Sequence, residues 1–451
     1  MRSLIAYIDS TRVGTLSEND NLWVFEYDPD WMVAPEGFGL SPALPRSTRR
    51  HEDGGTSRPV QWYFDNLLPE EALRRAVAGE AEIKDSDDAF ALLEYLGAES
   101  AGSLTLLPPD RLPSKEHAVV ALSDEDLSAR IRKIPRQTLT RNAPKRTSLA
   151  GAQHKMLLVV KDDGLYEPVQ AAPSTYILKP DHPDAATYPA TVFNEYITMR
   201  LARAARLTVP AVEMRYMPEP VYLIERFDRV VDRKSLRVKG AVAPKVARRH
   251  AIDACQLLNK DRGFKHSGAT LEALRQIIQA TINKAATRQA LFRWLVFNIV
   301  VGNDDCHLKN LSFYIGGDGA ELAPHYDLVS TGAYHTKAIA ADDGRWNDVR
   351  MAYPLPGALT FGEVSLKAVL AAASELGLPE AAARRIVGQV TTRVAKEFDA
   401  IAARLVQDAE RAPPERAAAL AQQSQLLRVI QYITLPDMLK RLAQAADGAE
   451  D

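Results

Sequence analysis

Only two cysteines occur in the 451 residues, Cys255 and Cys306, some fifty positions apart and without a Cys-x-x-Cys pair. That scarcity excludes a disulfide scaffold and a structural zinc site, and it suits a reducing cytoplasm. An excess of one charge is also missing. With 56 Lys+Arg against 58 Asp+Glu and a net charge of −2, the chain has no global basic field, so contact with nucleic acid would need a local patch or a partner. Long apolar runs are absent as well. The most apolar stretch, Leu291 to Val301, is broken by Arg293 and Asn298 and is about half the length of a membrane span, so it reads as a buried helix and no membrane role is expected. The opening MRSLIAYIDSTRVG has neither the apolar core nor the cleavage pattern of a signal peptide. No internal repeat is visible.

What the chain does have is 46% apolar residues, enough to bury two or three compact units. Short β-type runs open it, Leu4 to Ile8, Val13 to Leu16 and Leu22 to Tyr27, separated by polar turns, and predict a small sheet module. Arg46 to Arg58 lacks periodicity and reads as a mobile loop. Helical spacing follows at Asp65 to Val77 and Ser86 to Leu96. Residues 108–146, with five prolines and many charges, read as a connector. Beyond it the order is strand (Met156 to Val160), strand (Tyr176 to Lys179), helix (Ala190 to Ala205) and strand (Val221 to Glu225), a mixed α+β pattern. After Arg248 the pattern turns helical through Asn298, pauses in the polar loop Gly302 to Asn310, gives two short strands at Ser312 to Tyr314 and Glu321 to Ala323, and becomes alanine-rich. Pro413 and Pro414 interrupt that helical tail. The loop Ala333 to Val349 reads as disordered, with a substrate-facing role as its one functional reading.

The sharpest chemical signal is Gly302-Asn303-Asp304-Asp305-Cys306-His307-Leu308-Lys309-Asn310. Phosphoryl transfer to a hydroxyl needs an acidic group to receive or orient the hydroxyl hydrogen, and oxygen ligands for Mg²⁺; kinase catalytic loops supply them as Asp-x-x-x-x-Asn. Asp305 and Asn310 have that spacing, which selects Asp305 over its neighbour Asp304. A second metal carboxylate is expected on a nearby hairpin, where Asp327 stands in His325-Tyr326-Asp327-Leu328. The competing reading is that Asp304, Asp305 and Asn310 are cap and turn residues. His307 reads first as a hydrogen-bonder holding the loop. Cys306 has two readings, a packed side chain or a thiol reactive beside Lys309.

Upstream, Ser148 to Lys155 (SLAGAQHK) is small and polar just before a strand, and Lys179 ends the next strand. These are the parts with which a kinase reaches phosphate oxygens, though a strand-terminal lysine is by default a solvated one. Glu195, on the following helix, can pair with that lysine, against the default of a surface glutamate. Val221 to Arg229 is an apolar strand running into charge, either a hinge meeting an adenine ring or an ordinary strand end. Residues 228–250 carry eight Lys/Arg against two Asp. That segment reads first as a solvated loop and second as a patch for an acidic partner or nucleic acid.

Taken in order, SLAGAQHK, STYILKP, FNEYITMRLA, YLIERFDR, VGNDDCHLKNLSFY and HYDLVS, preceded by WYFDNLLPE and DDAFALLEYLGAESAGSL, resemble the HipA family of bacterial serine/threonine kinases, the toxin half of HipBA toxin–antitoxin modules. The likeness runs from about residue 4 to 400. It implies an α+β, two-lobed, protein-kinase-like fold with a small β-rich N-terminal subdomain and a mainly helical C-terminal lobe. The expected division is 1–107 for the N-terminal subdomain, 108–146 for the connector, 147–228 for the N-lobe portion with phosphate loop and hinge, and 229–451 for the C-terminal lobe.

By the same resemblance Asp305 is the catalytic Asp, and Asn310 and Asp327 hold Mg²⁺. Ala150, Gly151, Ala152, Gln153, His154 and Lys155 form the phosphate loop of an ATP site. Lys179 contacts the phosphates, Glu225, Arg226 and Phe227 form the adenine hinge, and His307, Leu308, Lys309, Asn310 and Tyr326, beside Asp327, complete the nucleotide pocket. Ser148 stands where the family is autophosphorylated, an event that expels the phosphate loop and silences the kinase. The implied partners are a HipB-like helix-turn-helix antitoxin dimer, operator DNA reached through it, and a translation protein as substrate, an aminoacyl-tRNA synthetase such as glutamyl-tRNA synthetase among them. Two departures stand out: Asp304-Asp305-Cys306 replaces a Thr-Asp-Gly-like stretch, and His154 occupies a phosphate-loop position that is often acidic or polar. A charged neighbour beside Asp305 is expected to raise its pKa or alter the approach of a hydroxyl. Rival readings are a weakly active or inactive kinase-fold corepressor, and a small-molecule kinase built from the same catalytic parts.

Overall fold

A computed structural model describes residues 1–147, 150–237 and 240–443. The chain folds into two compact units made of interleaved segments: 1–180, 223–264 and 312–323 in the first, 181–222, 265–311 and 324–451 in the second. The mixed α+β class is borne out, with a β-rich N-terminal part and a helical C-terminal region.

The first unit opens with an antiparallel sheet in the order Arg50–Glu52, Leu22–Tyr27, Thr11–Asn19, Arg2–Ile8, Leu104–Leu107. Asp20 and Asn21, at φ 51° and 61°, make the two-residue turn between its second and third strands. Both are residue types that tolerate the left-handed region, and such turns match the twist of a hairpin. The alternation in Leu22–Tyr27 points Phe25 inward, where its ring meets Phe64 of the helix Pro59–Asp65 at 5.5 Å. Arg46 to Arg58, expected as a mobile loop, is ordered: Arg50–Glu52 pairs with Leu22–Tyr27, and the Asp53 carboxylate accepts from the backbone N–H of Val60 and Gln61. Its order comes from backbone pairing and a cap, which leave no hydrophobic period to read.

A second sheet runs His117–Leu122, Gly164–Gln170, Met156–Lys161, Tyr176–Pro180 and then the end of Pro220–Glu225, a strand inside which the division between the units falls. The stretch read as a connector thus contributes an edge strand, followed by the helix Asp124–Ile131, whose Ser123 cap accepts from Asp126 N–H.

In the second unit the helix Lys284–Val301 buries Leu291, Phe292, Trp294, Leu295, Val296 and Phe297. It is apolar on nearly all sides because Leu271–Ala280, Glu380–Arg411 and Leu435–Ala443 pack around it. The buried-helix reading therefore holds. Among the described residues no helix is long and apolar enough to cross a membrane. The tail breaks after Arg411, as the two prolines predict, and resumes at Ala417–Val429. Ala333 to Val349, expected to be disordered, is instead ordered as a chain of short helical turns ending on the buried Trp346, whose indole N–H donates to Asp437.

Candidate active site

The loop that follows Lys284–Val301 is shaped by its own side chains. Gly302 ends the helix at φ +67°, a left-handed C-cap that also lets the Trp346 ring approach, since a Cβ there would sit 2.6 Å from the indole. Asn303 is buried, donates to the Asn298 side chain at 2.8 Å and accepts from the backbone N–H of Asp305 at 3.0 Å. The side-chain amide of Asn310 then donates to the Asp305 carbonyl at 2.8 Å. That bond fixes the amide plane and turns the Asn310 oxygen the other way. The carboxylate of Asp305 is exposed while His307, Leu308, Lys309 and Asn310 are buried. The Lys309 carbonyl accepts from the Tyr326 hydroxyl at 2.7 Å, which ties the loop to His325–Leu328.

Asp327 sits at φ 57°, a strained conformation for a residue with a Cβ and one that concentrates at functional sites. The chain just beyond it is anchored by Asn194, whose side chain bonds both the N–H and the carbonyl of Ser330. One residue along the same helix, Glu195 is buried beside Tyr222. Burial, then the Glu195 and Asp327 carboxylates, push that phenol well above its usual range. Tyr222, Glu195 and Asp327 are therefore neighbours, although they lie far apart along the chain.

Asp304, read as a competing base, points elsewhere. Its N–H donates to Thr331 Oγ1, and its carboxylate lies 3.5 Å from His335 Nε2. This hydrogen bond raises the imidazole above its ordinary value of 6.5, with burial opposing. A raised base contributes stability that is fully present below pH 6.5 and is lost as pH rises through the folded value. Histidine NMR titration should show one resonance titrating above 6.5 that disappears in His335→Gln and returns toward 6.5 in Asp304→Asn; an unshifted His335 would refute the pairing.

Cys306 resolves its two readings in favour of packing. Its Sγ is buried, 3.4 Å from the Asn303 carbonyl, and burial followed by the Asp305 and Asp304 charges pushes the thiol well above its usual range. Cys255 is buried too. Native protein is expected to leave both thiols unmodified by a thiol-specific reagent over hours and to expose both in denaturant; rapid native labelling would overturn this.

In the first unit, the segment 150–155 folds back on itself. Lys155 Nζ donates to the Ala150 carbonyl at 2.5 Å, over Gly151 at φ +107°, where a Cβ would crowd that ammonium. The Gly151 carbonyl accepts from Glu70 N–H, so the WYFDNLLPE segment supports this loop. Gln153 reaches the Pro180 carbonyl at 3.5 Å, beside the buried Lys179. Ala152 and His154 complete the segment, and Ser148 lies outside the described residues. Lys179 and Glu195, read as a possible pair, belong to different units.

At Glu225–Phe227 the two aromatic and ionic neighbours differ in kind. The Phe227 carbonyl accepts from the Tyr314 hydroxyl at 2.8 Å, and its ring meets Tyr314 edge-on. Arg226 is buried and committed: its guanidinium bonds Asp228 at 2.6 Å, Glu99 at 3.2 Å and the Ser174 hydroxyl at 2.9 Å. Arg229 and Lys145 converge on the same Glu99 at 3.1 and 2.9 Å. Burial would lift the Glu99 carboxyl, but Lys145, Arg229 and Arg226 hold it well below the usual range. Burial and then Arg226 bring Arg229 down to about 10. The start of the basic segment is thus a buried ion network rather than a solvated loop, whereas Arg233 and Lys234 are exposed to solvent.

The fold and these loops define a chain with two recognisable parts. Residues 4–107 match the HipA N-terminal domain and residues 147–398 the HipA-like C-terminal domain. The chain belongs to the HipA family. It is 33% identical over 346 residues to the Y4mE protein of Sinorhizobium fredii, covering 74% of this chain and 78% of that protein. Against the serine/threonine-protein kinase toxin HipA of Shewanella oneidensis the identity is 29% over 364 residues, 76% of this chain and 79% of the relative. The fold is similar to that of a chain in the Shewanella oneidensis HipA, HipB and operator DNA complex, with a TM-score of 0.72 at 24% identity over 95% of this chain and 96% of that one.

Proposed function

We propose that the protein is an ATP- and Mg²⁺-dependent serine/threonine protein kinase acting as the toxin of a toxin–antitoxin module. The observation that carries the reading is the loop in which Asn310 donates to the Asp305 carbonyl at 2.8 Å, leaving an exposed carboxylate on Asp305 and an amide oxygen on Asn310. Asn310 and Asp327 offer hard oxygen donors, the kind Mg²⁺ takes, so the residues present fit that ion. Bound there with ATP, Mg²⁺ would neutralise phosphate charge. The Asp305 carboxylate accepts the hydrogen of an incoming serine or threonine hydroxyl and orients its oxygen for in-line attack. Lys179 and residues Ala150 to Lys155 hold the phosphates, Glu225 to Phe227 receive the base, and His307 to Asn310 with Tyr326 line the pocket. Ser148 is the regulatory autophosphorylation site in this reading.

The partner is a HipB-like helix-turn-helix dimer, which brings the complex to operator DNA; kinship with the Shewanella oneidensis toxin supports this. A translation protein such as an aminoacyl-tRNA synthetase is the proposed substrate. The test is phosphate transfer from labelled Mg-ATP by protein freed of phosphate beforehand, with mass spectrometry of the products. Label on Ser148 that requires Asp305 supports the kinase. ATP binding without any transfer, to itself or to a synthetase panel, would leave the corepressor reading in its place.

A further inference from the structure

A second, chemically different ligand set converges on the catalytic carboxylate. The Leu308 N–H donates to the Lys265 carbonyl at 3.1 Å, laying the segment around His266 alongside His307. The two imidazoles meet edge to face with centroids 4.8 Å apart. One ligand atom each from His266, Asp305 and His307 lies within 4.8 Å of the others. His266 and Asp305 are exposed whereas His307 is buried. The fixed imidazole can therefore serve as the anchor, and the other two side chains close on it by rotating about their own bonds.

We propose that His266, Asp305 and His307 form a binding site for a divalent transition-metal ion of the Zn²⁺ class, which blocks the active site by taking the Asp305 carboxylate. Two imidazoles and one carboxylate are a donor set that Zn²⁺, Co²⁺ and Ni²⁺ accept and that Mg²⁺, which prefers oxygen, does not. Metal–ligand lengths of about 2.0–2.2 Å place ligand atoms of a tetrahedral centre roughly 3.3 Å apart, within reach of the observed spacing after side-chain rotation. Three protein ligands leave the fourth position to water. A coordinated Asp305 cannot receive a hydroxyl hydrogen, so the two uses of this carboxylate exclude each other. The metal site stands on side-chain placement alone, while the block rests on the kinase reading of Asp305.

The experiment uses untagged full-length protein and Co²⁺ as a spectroscopic probe, with Zn²⁺ competition, beside His266→Asn, a residue outside the transfer machinery. One Co²⁺ per chain is expected, with visible absorption of a low-coordinate nitrogen–oxygen site that Zn²⁺ abolishes, and at least a tenfold weaker affinity in His266→Asn. Stoichiometric Zn²⁺ should lower phosphate transfer at least tenfold under excess Mg-ATP in the parent protein and leave His266→Asn within twofold of its metal-free rate. Equal Co²⁺ affinity in the two proteins, or none in either, overturns the site. Binding that depends on His266 but leaves transfer unchanged overturns the block. If metal-free protein transfers no phosphate, the kinase reading fails, and the Co²⁺ titration still decides the metal site.

Discussion

Asp305→Asn is expected to lower phosphate transfer from Mg-ATP by about 10²–10⁴-fold, the range over which a positioned acid–base group contributes. Its Asn303 contact uses the Asp305 backbone N–H, and its Asn310 contact uses the backbone carbonyl, so the substitution preserves both. Because the side chain is exposed, thermal unfolding should stay within about 0.5 kcal/mol of the parent protein. ATP affinity should change little. Asp304→Asn provides the internal comparison: Asp304 faces His335 and Thr331, so its loss should reduce transfer by less than about tenfold, short of what a general base supplies. Transfer by Asp305→Asn within tenfold of the parent rate would remove Asp305 from the reaction.

The second large effect is on stability. Glu99 is wholly buried and is met by Lys145, Arg226 and Arg229. Glu99→Ala leaves those cations facing one another with Asp228 as the remaining anion bonded to Arg226 and Arg229. Removing one partner of a buried ion pair costs about 3–5 kcal/mol, and a fall in melting temperature of the order of 10 °C is expected. Glu380→Gln, which breaks only the exposed pair with Arg384, should cost less than about 1 kcal/mol. The network also sets an acid limit. A carboxyl held below its ordinary value of 4.5 contributes stability that is complete above that pH and is lost as pH falls toward its folded value. Denaturant midpoints between pH 7 and pH 3 should therefore converge for parent and Glu99→Ala. A gap that stays constant over that range would show that Glu99 acts through packing instead of charge.

What could be read in advance depended on whether a residue's neighbours were near in sequence. Met156–Lys161 announces itself as MLLVVK, a run buried along nearly all its length. Gly164–Gln170 hides because Pro168 and Glu167 suit neither a strand's propensity nor its alternation, although the segment pairs on both sides. Arg350–Leu355 and Ala358–Thr360 form a hairpin with a shifted register, which blurs the period of two. The loop of Asp305 and Asn310 was legible because its spacing is local. His266 was not, because contacts across some forty residues, the Leu308 to Lys265 backbone hydrogen bond among them, bring it beside His307. Glu99 carried no sign of its role either, since its partners lie at 145, 226 and 229.

The two compact units share one thread that passes from the first to the second and back again, with the last return of the first unit ending at Ala323. A ribosome emits a chain from one end, and ordinary modular proteins fold as each piece emerges. Here the early sheet's unit waits for Ser312–Gly316 and Gly319–Leu322, which close against Ala251–Asp253. Loop-closure entropy over such separations makes late, slow completion the expected course of folding. No single cut in the gene yields either unit intact, so truncation or exchange of halves produces an unfinished polypeptide. A cell that makes this protein cannot finish the first unit until Ala323 has been synthesised, long after that unit's opening sheet has emerged.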